Sequence, residues 1–171
     1  QGGAGAATPG NLGGILGGLY APLDPAISRV VLNVPGAGLV PMFDESVFFG
    51  LQIDAFYERH DVPLGSADHA RFQNIAHWMI DTVDPINVAR HLVGEPIPGL
   101  AMPPGGRHVL VQRATLDIII PEAATKRLVD EAQVPMEEYV GGHAFIVLPL
   151  EPAYYAGIHD AADFLEGTWA P

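Results

Sequence analysis

Two short runs, Arg29-Val-Val-Leu-Asn-Val34 and His108-Val-Leu-Val-Gln112, are apolar at consecutive positions rather than at alternate ones. A strand of that kind has no face to offer water. It fits only a parallel sheet covered by helices on both sides. Pro35-Gly36 stops the first run, and Met136 to Val140 is expected to add a short third strand. Helical spacing occupies 46–58 and 68–81, the latter with Phe72, Ile75, Ala76 and Met79 on one side. Aromatic residues at such spacing (Phe48, Phe49, Phe56, Tyr57, Phe72, Trp78) are read first as core, with a substrate pocket as the alternative. Asp84 and Pro85 open a further helix to about Leu92, Pro121 opens one through Ala132, and Asp160 to Glu166 closes the chain. The alternation of strands and helices, without an internal repeat, predicts an α/β fold with parallel strands and flanking helices.

The chain starts with a Gly/Ala-rich stretch, residues 1–10, that reads as a flexible arm. There is no initiator methionine and no charged-then-apolar leader, so position 1 is expected to be a processed or truncated end. Asn11 is placed to cap a helix over 12–20, although Gly13, Gly14, Gly17 and Gly18 make that helix intrinsically poor. A helix so rich in glycine needs close approach of another backbone. Residues 94–106, with their glycines and prolines, must form an extended loop.

Composition narrows the chemistry. With 171 residues, of which 49% are hydrophobic and 16% charged, the chain has enough apolar surface for one domain core. Eight basic residues against twenty acidic ones give a net charge of −12, a field that repels nucleic acid and anionic lipid. No apolar run reaches the ~20 residues of a membrane-spanning helix. The absence of cysteine excludes disulfides, thiolate metal sites and a cysteine nucleophile. His60-Asp61, His69, His77 and His91 offer no H-x-x-x-H or H-x-H spacing, and His69 and His77 stand two helical turns apart, so no metal is expected. Gly36-Ala-Gly38 follows a strand but lacks the rest of the dinucleotide fingerprint, so no cofactor is expected either.

What remains is an acid and a histidine. Asp117 follows the strand that begins at His108, at the carboxyl end where open α/β sheets build their sites. It could equally be a turn aspartate bonding its own backbone. His143, in Gly141-Gly-His-Ala-Phe145, follows the third strand on a glycine-flanked loop. Each has an ordinary explanation alone. An acid after one strand and a histidine after the next is the order of the last two members of an α/β-hydrolase triad. Upstream, the frame Pro9-Gly10-Asn11-Leu12-Gly13 has the shape of the nucleophile elbow G-x-S-x-G, with asparagine where the serine belongs. An amide cannot give up a proton to a histidine and attack a carbonyl as an alkoxide does.

In order along the chain, Leu12-Gly-Gly-Ile-Leu-Gly17, Leu23-Asp-Pro25, Val31-Leu-Asn-Val-Pro-Gly36, Asp84-Pro-Ile-Asn-Val-Ala-Arg-His91, Asp117 with Ile120-Pro121 and Thr125, and Gly142-His-Ala-Phe145 resemble bacterial α/β-hydrolase-fold lipases and esterases. The likeness is to large secreted or envelope-associated members in particular. It implies a carboxylic ester hydrolase acting on a small-molecule or lipid ester, with Asp117 as triad acid, His143 as triad base and the Leu12 backbone N–H as an oxyanion donor. Residues 46–92 would be a helical cap-like insertion, and 11–171 the C-terminal part of the domain. The first strands of that fold have no counterpart here, so a homodimer or a separate N-terminal fragment is the expected partner. Three readings stay open: part of an ester hydrolase with little activity by itself, a non-catalytic relative that only binds, and a free-standing α/β domain.

Overall fold

The apolar runs pair side by side because each needs cover on both faces. In a computed structural model, which describes residues 11–170, β1 (Arg29–Asn33), β2 (His108–Ala114) and β3 (Met136–Tyr139) form one sheet in that order. Both pairs are parallel, with Val31 opposite Leu110 and Arg113 opposite Glu138. Parallel neighbours need crossovers over a sheet face. Between β1 and β2 run α2 (Leu39–Glu45), α3 (Val47–Arg59) and α4 (Ala67–Ile80); α5 (Glu122–Ala132) joins β2 to β3. Helix α1 (Asn11–Tyr20) precedes β1, and α6 (Tyr154–Glu166) follows β3. No helix among the described residues is long and apolar enough to cross a membrane. The arm at 1–10, and the side chain of Asn11 with its expected capping role, lie outside the described residues.

Side chains alternate along β1, and both sets are buried. Val30 and Leu32 pack with Val109, Val111 and Leu128 of α5, while Val31 packs with Leu110 and with Ala161 and Phe164 of α6. The glycines of α1 have the packing reason their helix requires. A Cβ on Gly14 would stand 2.5 Å from the Asn33 carbonyl oxygen, and one on Gly17 would stand 2.9 Å from the Leu32 side chain. The start of α1 is thereby held at the carboxyl end of β1.

Several boundaries differ from the sequence reading, each for a local reason. Strand β2 runs on to Ala114 because Arg113 is paired on both sides, 2.7 Å from Glu138 and 2.7 Å from Glu122. Helix α2 was not anticipated across Pro41, which falls in the first turn where no backbone donor is needed. The expected helix from Pro85 is instead two 3-10 turns, Pro85–Asn87 and Ala89–His91, which bury Ala89 and Leu92 in the core with α5. Helix α6 starts at Tyr154 rather than Asp160, running through Gly157, where a Cβ would meet the Phe145 ring at 2.5 Å. The aromatic positions of α3 and α4 are mostly not core: Tyr57 is buried, but Phe48, Phe56, Phe72 and Trp78 are exposed, Trp78 by 82%.

Asp84 closes the base of the helical segment. Its Oδ1 accepts from the backbone N–H of Gly38 (2.9 Å) and of Ile86 (3.1 Å), and its Oδ2 accepts from Leu39 N–H. One buried carboxylate thus joins the point where the segment leaves β1 to the point where it returns. Gly38, at φ +70°, is required there: a side chain would be strained and would also press on Arg127. Asp84→Ala strands these buried donors, and we expect a loss of about 3 kcal/mol in urea unfolding. A loss below about 1 kcal/mol would mean that the two ends are held independently of this carboxylate.

Candidate active site

The carboxyl ends of β2 and β3 are tied to each other beyond the strands. Thr115 N–H donates to the Tyr139 carbonyl (2.9 Å) and Leu116 N–H to the Gly141 carbonyl (3.0 Å). This lateral bonding brings the two loops together and fixes their side chains. Asp117 Oδ1 accepts from Ile119 N–H (2.8 Å) and Ile120 N–H (2.9 Å). Its Oδ2 lies 2.8 Å from His143 Nδ1. The turn and the contact with the histidine coexist on one carboxylate. One oxygen makes the turn and the other meets the histidine.

The Asp117 side chain is only 4% exposed and that of His143 16%. An ionised carboxylate only accepts, so Nδ1 must carry the proton and Nε2 is the acceptor nitrogen in the neutral ring. The loop that carries the ring is itself fixed by local packing. A Cβ on Gly141 would stand 2.9 Å from Phe145 Cβ, so the loop can turn this tightly only with glycine there. Phe145, fully buried, stacks on Tyr139 at 5.0 Å. Gly142 N–H donates to Glu151 Oε2 at 3.3 Å. Glu151 was missed in the sequence, where it is one acidic residue among prolines with no motif around it.

Beneath the histidine loop lies a polar chain that pattern reading also passed over. Gln112, fully buried in β2, accepts from Asn33 Nδ2 and donates to the Tyr139 hydroxyl and the Gly157 carbonyl. Tyr139 in turn donates to Asp160 Oδ2 at 2.7 Å. These bonds connect all three strands to α6 directly under the loop that carries His143.

The remaining residues of the sequence reading fall in different places. Leu12 lies in the first turn of α1, at the same carboxyl edge of the sheet, with its side chain 63% exposed. Asn11 is the first residue of that helix. His69 serves the α3–α4 corner: it caps Gly65 N–H through Nδ1 at 3.3 Å and meets the Tyr57 ring edge-on. Among the described residues, no three His, Asp or Glu side chains are grouped to hold a metal ion.

No protein-family model and no curated protein matches the sequence. Solved structures do match the fold. Acetyl xylan esterase 1 from a Thermoanaerobacterium species superposes with a TM-score of 0.62 at 17% identity, over 97% of this chain and 45% of its own. The monoacylglycerol lipase of Paleococcus ferrophilus gives 0.53 at 16% identity, over 92% and 66% respectively. The enol-lactonase of Burkholderia xenovorans gives 0.51 at 17% identity, over 91% and 63%. The architecture is that of α/β-hydrolase-fold proteins, and the chain spans less than half the length of the first of them.

The buried phenol makes a pH prediction. Burial foremost, and then the Asp160 carboxylate, push the Tyr139 hydroxyl well above its usual range. The folded state thus holds the neutral phenol while an unfolded tyrosine ionises near pH ~10. The resulting stability is complete below about pH 10 and is lost as pH rises above it. Denaturant midpoints measured from pH 8 to 11 should fall at the alkaline end, and Tyr139→Phe should flatten that fall. An unchanged slope in the variant would assign the alkaline loss elsewhere.

Proposed function

We propose that this fold is built for hydrolysis of carboxylic esters, with Asp117 as the acid and His143 as the general base. The observation that carries the reading is the 2.8 Å contact of His143 Nδ1 with Asp117 Oδ2, whose other oxygen is anchored by two backbone N–H groups. In such a pair the carboxylate fixes the tautomer and steadies the imidazolium that forms when Nε2 takes a proton. The nucleophile belongs at the start of α1, the elbow position held by Asn11. The Leu12 N–H, the residue next after the elbow position, is assigned as one oxyanion donor. The segment 46–92 acts as a cap that shapes the acyl side of the site. The esterases and lipases that share the fold support an ester as the substrate class.

Asparagine at position 11 favours a second reading, in which the site binds an ester or acid without turning it over. The two readings separate by substitution. The chain with Asn11 should hydrolyse p-nitrophenyl acetate no faster than its His143→Ala variant, because loss of the nucleophile alone removes a factor of about 10⁶. The Asn11→Ser variant should become reactive toward a fluorophosphonate at the substituted position, and His143→Ala or Asp117→Asn should remove most of that reactivity. Robust turnover by the unaltered chain would point to another nucleophile, Ser46 or Ser66 being tested first. Reactivity of Asn11→Ser that ignores both His143 and Asp117 would sink the triad assignment.

A further inference from the structure

The turn that holds Asp117 is fixed from outside as well as from within. Ile119 N–H, which donates to Asp117 Oδ1 at 2.8 Å, belongs to the same peptide unit as the Ile118 carbonyl. That carbonyl oxygen accepts from Phe48 N–H at 2.9 Å and from the Ser46 hydroxyl at 3.3 Å, both at the start of α3. A peptide unit is planar, so fixing the direction of its C=O fixes that of its N–H. Ser46 is only 2% exposed, and its Oγ also accepts from Phe49 N–H at 3.2 Å. One buried hydroxyl thus caps α3 and reaches the acid turn. Side-chain packing repeats the link. Ile119 and Ile120 share an apolar cluster with Leu39, Met42 and Phe43 of α2 and with Ile80 of α4. The three helices are braced together in turn, since Gln73 of α4 donates to Asp44 of α2 and, at 2.8 Å, to the Tyr57 hydroxyl of α3.

We propose that Ser46 is a positioning residue, through which the helical segment sets the orientation of Asp117 and with it the contact to His143. A continuous series of hydrogen bonds runs from Ser46 and Phe48, through the Ile118–Ile119 peptide, to Asp117 Oδ1. The other oxygen of that carboxylate lies 2.8 Å from His143 Nδ1. Donors on a peptide carbonyl polarise its N–H, so each bond in such a series strengthens the next. Ile120 N–H also reaches Oδ1, at 2.9 Å, so loss of the Ser46 hydroxyl loosens the carboxylate without freeing it. A ligand that displaces α3 therefore acts on the acid and the histidine without touching either. The inference rests on the reading of Asp117 and His143 as acid and base.

Ser66 supplies the control. Its hydroxyl caps α4 as that of Ser46 caps α3, accepting from His69 N–H at 3.1 Å, and it bonds no residue of the acid turn among the described residues. Proton resonance of the His143 ring in the full chain compares Ser46→Ala with Ser66→Ala. Both variants should lose similar stability in urea. Only Ser46→Ala should move the Nδ1 proton upfield and speed its exchange about fivefold, as expected for one lost hydrogen bond. In the Asn11→Ser background, only Ser46→Ala should slow fluorophosphonate labelling. An Nδ1 proton that is lost in Asp117→Ala but unmoved by Ser46→Ala would overturn the coupling and leave the acid–base pair standing. Equal changes in the two serine variants would overturn it too, by assigning the effect to general loosening. An Nδ1 proton indifferent to Asp117→Ala would sink the acid–base reading itself, and the positioning role with it. If Ser46→Ala does not fold, the unaltered chain decides. Scalar couplings through hydrogen bonds should join the Phe48 nitrogen to the Ile118 carbonyl carbon and the Ile119 nitrogen to Asp117 Cγ, and absence of either would break the series and the proposal.

Discussion

The register of β2 on β3 is the constraint from which the rest of the site follows. With Ala114 opposite Tyr139, both strands end at the same level of the sheet, and the next backbone bonds, Thr115 to Tyr139 and Leu116 to Gly141, join their loops. Asp117 and His143 are 26 residues apart in sequence but have little freedom left relative to each other. A slip of one residue would turn every β3 side chain to the opposite face and withdraw Tyr139 from both Phe145 and Gln112. Precision at the imidazole is thus inherited from strand pairing together with the tight turn at Gly141 against Phe145.

Much of this was legible because the sheet and its two key side chains write strong local signals. An apolar run without alternation, ended by Pro35-Gly36, can hardly be anything but a covered strand. An acid and a histidine at successive strand ends were readable as a candidate pair from their order, and the structure sets them 2.8 Å apart. The glycine-rich start was readable as a helix needing close contact, and Gly14 against Asn33 supplies it. Signals failed where tertiary contact overrode local cues. Strand β2 continues through Arg113, which is paired with two carboxylates, and α6 begins before Asp160 because Phe145 fills the space beside Gly157.

The harder part to read was polar and buried. Gln112, Asn33 and Asp84 have no periodic signature, and only the fold shows that each is enclosed. Their roles differ. Gln112 spends its amide on three partners across strands and helix, and Asp84 spends its carboxylate on backbone at the base of the helical segment. Asn33 keeps an oxygen that has no donor among the described residues, at the carboxyl end of β1. The apolar faces of α3 and α4 were misjudged for a related reason. Helical spacing reports that a face is apolar, but says nothing of whether this chain supplies its cover.

The hydrogen bond between Asp117 and His143 is the centre of the account, and nitrogen-15 spectroscopy of the imidazole ring observes it directly. At neutral pH the account predicts that His143 is the Nδ1–H tautomer, with a slowly exchanging, far-downfield Nδ1 proton that disappears in Asp117→Ala. The Nε2–H tautomer, or a rapidly exchanging Nδ1 proton indifferent to Asp117, would contradict it.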